Sequence, residues 1–507
     1  MRFRELCREP AACTRARTMM TMLLLAVLSA TESGLDVGRV VDHGVVHENR
    51  DAVDSTGTPW VRINLRLDDW DSPTDDWFAV YDRVIDDYLA RGIQVYALIN
   101  DEAVASSQPH GSNAWIDDYV HNAIAIIDHF KNRVRVFELV NEPNNWADGE
   151  TARFPPRAFA KILQDTYLAV KRDHAGDRCW NVDLISGPLF SFDGTSASDY
   201  LEQTYSIGTS ELAWNYTHEV TGSYPLDGIG YHVYVAQGLD STTADVRGAM
   251  LQNLSAVWNV VAAHEGATTK QLWVSEYGWE ASVVGDDVQA DRLRAGFSAM
   301  NQFGKVALAL YFNFQDFPGA TYGVFDDADH RRPSADAIAA LANTPRAARL
   351  VTALLPTLAP GELRDAVVTL QNRGTATWRD SIRLAAAPGC PEAAHVNAIA
   401  WEPAAGYAND IIDARVFLPH DVAPGETIEV RVPVRAPSEI GEHLFAARMV
   451  DEGTGWFGPT ISGVVNVAPT ASEPQPDQAC GCSTGRSAPG ALLVLLFKTR
   501  RRRARHS

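Results

Sequence analysis

The chain is short of cysteine, of positive charge and of cofactor-binding signatures, and each shortage narrows what it does. Of its six cysteines, Cys7 and Cys13 fall near the start and Cys480 and Cys482 near the end. Only Cys179 and Cys390 are left for the folded body, which argues against a disulfide framework. Lysine and arginine total 44 against 64 acidic residues, a net charge of −20. That balance argues against nucleic acid or an anionic membrane as a partner for the bulk of the chain. A neutral polymer such as a polysaccharide stays compatible with it. There is no Gly-x-Gly-x-x-Gly after a strand, no His-Glu-x-x-His, no paired Cys-x-x-Cys and no Gly-x-x-x-x-Gly-Lys. No cofactor and no metal are therefore expected.

What is present is ordinary globular material. Hydrophobic residues make up 46% and charged residues 21% of 507 residues, enough for a large core and two or three domains. From about Leu35 to Ala342 apolar strands alternate with amphipathic helices. The expected strands are Trp60–Leu67, Gln94–Ile99, Val134–Val140, Asn181–Ser186, Gly228–Tyr234, Gln271–Ser275 and Ala307–Phe314. A first strand is expected near Asp36–Val41, followed by a poor helix. Phe78, Tyr81, Val84, Ile85, Tyr88 and Leu89 share one helical face, as do Ile116, Tyr119, Val120, Ala123, Ile124 and Ile127. Gly92 stands where a helix should stop. Repeated βα units over some 300 residues predict an α/β fold, a closed (β/α)₈ TIM barrel spanning residues 35–344.

Two strands of that barrel end in glutamate. Phe137-Glu138-Leu139-Val140-Asn141-Glu142-Pro143 delivers Asn141 and Glu142, with Pro143 stopping the ladder. Leu272-Trp273-Val274-Ser275-Glu276 delivers Glu276. About three βα units of roughly 40 residues separate them, which makes these strands the fourth and seventh. Those lie across the barrel mouth from one another, on the catalytic face. Two facing carboxylates can protonate a leaving oxygen and attack an anomeric carbon, and a separation of about 5–5.5 Å gives retention through a covalent glycosyl-enzyme. The anion of Glu276 should keep Glu142 protonated until Glu276 is glycosylated.

Asn141-Glu142-Pro143 and Ser275-Glu276-Tyr277-Gly278 resemble the acid/base and nucleophile signatures of the clan A glycoside hydrolases, most like families 5 and 39. The resemblance covers residues 35–342. It implies a retaining O-glycosyl hydrolase with Glu142 as acid/base and Glu276 as nucleophile. It implies that Arg62 holds the nucleophile ionised, that Asn141 bonds the sugar 2-hydroxyl, and that His232 and Tyr234 stand near the nucleophile. The clan commonly ends its eighth strand in a tryptophan. Here Leu310-Tyr311-Phe312-Asn313-Phe314 has none, so Phe312, Phe314 or Trp279 is expected to supply the sugar platform. Trp70, Trp77, Trp115 and Trp146 are candidates for subsites or for packing. The run Asp68-Asp69-Trp70-Asp71 reads as a solvated loop rather than a cation site. The expected partner is an oligo- or polysaccharide. A surface protein that binds glycan without cleaving it, or that transfers glycosyl groups, is the alternative.

Beyond residue 345 short alternating runs separated by Pro- and Gly-rich turns predict an antiparallel sandwich over 345–467: Ala366–Asn372, Ile428–Val434, His443–Met449 and Gly463–Val467. The stretch from Val367 to Trp378, with Gly455-Trp456-Phe457-Gly458, resembles the four-tryptophan Ig-like domain, which implies an accessory module or spacer. The ends point to export. Residues 1–34 read as a leader, with five arginines before the apolar run Leu23–Leu28. Residues 468–479 read as a linker. Residues 480–507 combine Cys480-Gly481-Cys482, an apolar segment and five arginines between Arg500 and Arg505, and resemble a myxobacterial C-terminal sorting tag. Its apolar run Ala488–Phe497 makes only about 15 Å of helix, too short for a core of about 30 Å. A transient surface-attachment signal is the expectation.

Overall fold

The computed structural model describes residues 31–145, 154–177, 180–266, 268–342, 344–387, 398–402 and 414–469. The expected leader up to residue 30, Trp146, Cys179, Cys390, the expected linker beyond residue 469 and the expected sorting tail lie outside the described residues. Among the described residues, no helix is long and apolar enough to cross a membrane.

Eight parallel strands close into a barrel: β1 (Glu32–Gly38), β2 (Trp60–Leu65), β3 (Gln94–Ile99), β4 (Val136–Leu139), β5 (Asp183–Ser186, resumed at Leu189–Ser191), β6 (Ile229–Val233), β7 (Leu272–Tyr277) and β8 (Val306–Phe312). β1 pairs with both β2 and β8. The last seam closes where resumed β5 pairs with β6 and Ile185 bridges to Gly228. β1 starts at Glu32, a few residues before the expected first strand and inside the stretch assigned to the leader. Its Asp36 and glycines hide it from a search for apolar residues.

The connecting helices form where the 3.6-residue pattern predicts them. Helix α1 (Arg50–Ser55) is the short, poor one after β1. In α2 (Asp75–Ala90) the Thr74 side chain accepts from Trp77 N, two aspartates occupy the first turn, and Trp77, Tyr81, Val84, Ile85 and Tyr88 are buried. Gly92 follows at φ +80°, with Gly92 N bonded to Leu89 O and Ile93 N to Tyr88 O, so the chain reverses into β3. In α3 (Asn113–Phe130) Ser112 caps Trp115 N, and Trp115 stacks on Tyr119. Trp77 and Trp115 are thus packing residues. Trp70 is half-buried beside Gly44.

The barrel interior is layered. At its N-terminal end Trp60, Tyr96, Val136, Ile185, Leu308 and Leu310 fill the space, with Trp273 against them. A charged layer lies above this plug, and the strand ends lie above that. Gly230 faces inward, and a Cβ there would fall 2.3 Å from Ser186 O and 3.0 Å from Glu138 Oε1. Only glycine leaves room for that buried carboxylate.

Past residue 347 the chain forms a sandwich. One sheet holds Ala348–Leu354, Leu363–Asn372, Thr427–Arg435 and Ala400–Trp401. The other holds Thr357–Leu358, Gly455–Val467, Gly441–Asp451, Ile382–Ala386 and Arg415–Phe417. Trp401 stacks on Phe445 and Trp378 packs against Phe457 in the core between them. The sandwich meets the barrel at the N-terminal ends of the strands: Asp54 pairs with Arg349 and Arg373, and Ala348 O lies against Gly92. The glutamate-bearing strand ends face the other way.

Candidate active site

Glu142 follows β4 through unusual backbone. Val140 has φ +55° and Glu142 φ +42°. Left-handed geometry is costly for a β-branched valine, of order 1–3 kcal/mol, and such strain collects at functional sites. Glu276 reaches the same space by a different device. Val274 pairs with Tyr231 and Glu276 with His232, so Ser275 is an extra residue. This bulge lets Ser275 and Glu276 both serve the barrel interior, where regular alternation would turn one of them outward.

One carboxylate oxygen of Glu142, one of Glu276 and a ring nitrogen of His232 lie within 4.8 Å of one another. Each is already occupied by hydrogen-bonding groups. Glu276 Oε1 accepts from Arg62 Nη1 at 2.8 Å and Oε2 accepts from the Tyr234 hydroxyl at 2.7 Å. Glu142 Oε1 lies 2.7 Å from His232 Nδ1, and Oε2 accepts from Asn145 Nδ2 at 2.7 Å. Three such donors could in principle hold a cation. The Arg62 guanidinium beside Glu276 opposes that use, because it already supplies the compensating charge.

Arg62 is the hub of the charged layer. It is 4% exposed. Nη1 also donates to Asp36 Oδ2 at 2.6 Å, Nε donates to Glu138 Oε2 at 2.9 Å, and Nη2 donates to Asn141 Oδ1 at 2.8 Å. Burial opposes its charge, but Glu138, Asp36 and Glu276 outweigh burial and hold the guanidinium protonated well above its ordinary range. Glu138 is fully buried, and its Oε1 accepts from Tyr96 (2.8 Å) and Ser275 (2.7 Å). With Asn141 Oδ1 taken by Arg62, the amide NH₂ faces away from the arginine.

The electrostatics separate the groups. Burial pushes the Glu276 carboxyl up to about 7, with His232 and Arg62 pulling the other way. Burial pushes the His232 ring down to about 4, so it is neutral when Glu276 ionises. Arg62 is then the compensating cation at neutral pH. Burial and the Glu276 charge hold the Tyr234 hydroxyl well above its usual range, so it stays a donor.

The structure thus gathers Glu142, Glu276, Arg62, Asn141, His232 and Tyr234 in one place. It does not place Trp279 there. That ring is 0% exposed, with Nε1 bonded to Val235 O at 2.8 Å, so it offers no face to a sugar. Its apolar ring anchors the backbone behind the site instead. Phe314 is also buried, against Phe325. Of the three expected platforms only Phe312 reaches the site, 6.3 Å from Tyr234. Asp68 is no solvated loop residue: its side chain is 1% exposed and paired with Arg39 at 3.0 Å. Sequence reasoning passed over Asp36, Glu138 and Asn145. The first two carried a signal, since a carboxylate inside an apolar barrel strand must find a buried partner.

Comparison with known proteins gives these relations. Residues 356–467 match the family model described as the Ig-like domain from next to BRCA1 gene. The sequence matches no curated protein. Among solved structures, a family 39 glycoside hydrolase from the gut symbiont Bacteroides cellulosilyticus WH2 is 16% identical, over 80% of this chain and 81% of its own, with a TM-score of 0.44. A β-glucosidase from Thermotoga maritima in complex with azafagomine is 12% identical over 62% and 97%, at a TM-score of 0.44. A GH128 (subgroup II) endo-β-1,3-glucanase from Sorangium cellulosum is 15% identical over 61% and 98%, at 0.37.

Proposed function

We propose that this chain is a retaining O-glycosidase acting on β-linked oligo- or polysaccharide, with Glu276 as nucleophile and Glu142 as acid/base. The observation that carries the reading is the approach of the two carboxylates, oxygen to oxygen within 4.8 Å. Retaining sites hold their carboxyl groups about 5–5.5 Å apart, whereas inverting ones leave about 6.5–9.5 Å for a water. In the first step a Glu276 oxygen bonds to the anomeric carbon as the glycosidic C–O bond breaks, and Glu142 gives its proton to the departing oxygen. In the second, water attacks the anomeric carbon, Glu142 takes its proton, and the ester to Glu276 breaks.

The surroundings suit these duties. Arg62 and Tyr234 bond the two Glu276 oxygens. They disperse its charge and fix its plane toward the cleft. Asn141, held by Arg62 through its carbonyl oxygen, turns its NH₂ to the sugar 2-hydroxyl. His232, neutral and fully buried, orients Glu142 through Nδ1. The same proposal has the chain exported by its Arg-rich leader and attached at the surface through its tail.

The test is a panel of aryl β-glycosides with the two glutamates replaced in turn. Glu276→Ala should lose activity, and azide should restore it as a glycosyl azide of inverted configuration. Glu142→Ala should keep activity on aryl glycosides with good leaving groups and give the azide of retained configuration. Full activity in Glu276→Ala, or the two configurations exchanged, would sink the assignment.

A further inference from the structure

A row of aromatic rings runs along the rim of the barrel mouth beside Glu276, from the end of β5 past β6 to the loop after β8, and its two end rings are exposed. Phe192 and Phe190 meet edge to face at 5.0 Å, and Phe190 lies 6.0 Å from Tyr234. Tyr234 lies 6.3 Å from Phe312, and Phe312 lies 6.0 Å from Phe317. Tyr322 backs the centre, 5.8 Å from Tyr234 and 5.6 Å from Phe312. Tyr234, the ring bonded to Glu276, is the midpoint. The end rings are open: Phe192 is 63% exposed and Phe317 is 45% exposed.

Exposed phenylalanines on loose loops would need no explanation. These two sit on braced loops. Asn144, two residues beyond Glu142 and 6% exposed, donates to Phe190 O at 2.7 Å and accepts from Phe190 N at 2.8 Å. The loop that carries Glu142 and the resumed strand of β5 are thereby one unit. Ser191 Oγ then accepts from Gly194 N at 2.7 Å, which fixes the turn that carries Phe192. On the other side Phe317 and Ala320 exchange backbone hydrogen bonds of 3.2 and 3.0 Å. The neighbouring Asp316 is gripped by Arg332 at 2.8 and 2.7 Å. Holding an apolar ring in water on a rigid support has the form of a preorganised binding surface.

The chemistry of the row selects its ligand. It contains no lysine or arginine, and Arg62 and Arg332 are committed to Glu276, Asp36, Glu138, Asp286 and Asp316. Among the described residues, a uronic acid would find no uncommitted cation in the row. An aromatic face suits a pyranose whose hydroxyls are all equatorial, because both faces of that sugar then present only C–H groups. We infer that Phe192 and Phe317 are sugar platforms on opposite sides of the cleavage point. The cleft then takes a neutral, all-equatorial β-linked oligosaccharide and cuts it internally. This inference rests on the glycosidase reading above.

The probes are β-1,4- and β-1,3-linked gluco-oligosaccharides and β-1,4-linked xylo-oligosaccharides of two to six units, with an aryl monoglycoside as the short substrate. In the full chain, Phe192→Ala and Phe317→Ala should each lower the ratio of kcat/KM on hexasaccharide to that on aryl glycoside by about tenfold. The two variants should shift the preferred cut in opposite directions along the oligosaccharide. An unchanged ratio in both variants, release of single sugars from one end only, or a preference for oligouronates would overturn the inference. Calorimetry on Glu276→Gln separates the two levels. Hexasaccharide binding that Phe192→Ala and Phe317→Ala weaken, with no turnover by the unsubstituted chain, would leave the platforms standing and the glycosidase reading fallen. Neither binding nor turnover would overturn the platforms.

Discussion

Arg62 Nη1 lies 2.8 Å from Glu276 Oε1, and the same nitrogen lies 2.6 Å from Asp36 Oδ2. One buried guanidinium therefore compensates three carboxylates, counting Glu138. The arrangement makes Arg62 both the electrostatic partner of Glu276 and a keystone of the barrel interior.

Replacing Arg62 by Met should therefore do two things at once. It strips the compensating charge from Glu276, and loss of a preorganised electrostatic partner typically lowers kcat by about 10²–10³. It also leaves Asp36 and Glu138 buried without a cation, a change that costs about 3–5 kcal/mol. Denaturant unfolding and steady-state kinetics check both. A normal kcat in a folded Arg62→Met would contradict the role assigned to it.

Tyr234→Phe removes one hydrogen bond from Glu276 Oε2 and little else. Losing a donor to an anion raises that group's pKa. The acidic limb of kcat/KM, expected near pH 7 from the Glu276 value, should move to higher pH, and kcat should fall about tenfold. A pH–rate profile for the variant tests this, and an unmoved acidic limb would show that the hydroxyl does not act through Glu276.

Much of the fold was legible because the barrel strands are apolar runs and the helices keep one buried face. The seven strands from Trp60 onward fall at the expected places to within a few residues. The first begins four residues before the expected Asp36, because Glu32, Gly34, Asp36 and Gly38 leave it without an apolar run to mark its start. Glu142 and Glu276 were legible as charges ending apolar strands. The supports were harder. Glu138 acts through Arg62, and no spacing rule announces a pairing between β2 and β4. Trp279 misled because a tryptophan three residues past Glu276 suggests stacking, whereas this indole has its nitrogen bonded to Val235 and its ring sealed in the core. Phe192 and Phe317 gave no signal at all. Isolated phenylalanines in loops become a row only when the barrel closes.

The pH dependence of stability should carry the same site. Glu276 titrates near 7 when folded and near 4.5 when unfolded, so the folded state holds the extra proton between those values. Its contribution to stability is therefore lost as pH rises from about 4.5 through 7. His232 works in the opposite sense. Its folded value is about 4 against 6.5 unfolded, so stability grows as pH rises through that window. The two contributions oppose one another between about 4.5 and 6.5. Glu276→Gln should remove the first and expose the second, giving a steeper gain in stability from pH 4 to 6.5 than the unsubstituted chain shows. Chemical denaturation at a series of pH values measures it, and parallel curves for the two proteins would contradict the titration scheme.

As the proposed nucleophile, Glu276 should form a covalent bond to the sugar. The direct measurement uses the 2-deoxy-2-fluoro analogue, with a good leaving group, of whichever aryl β-glycoside the chain turns over fastest. The fluorine slows the second step, so the glycosyl-enzyme accumulates and can be located by peptide mass spectrometry. One added glycosyl mass is expected on the peptide bearing Glu276, with activity lost in proportion and no label in Glu276→Gln. A label on Glu142, or none despite turnover of the parent glycoside with net inversion, would contradict it.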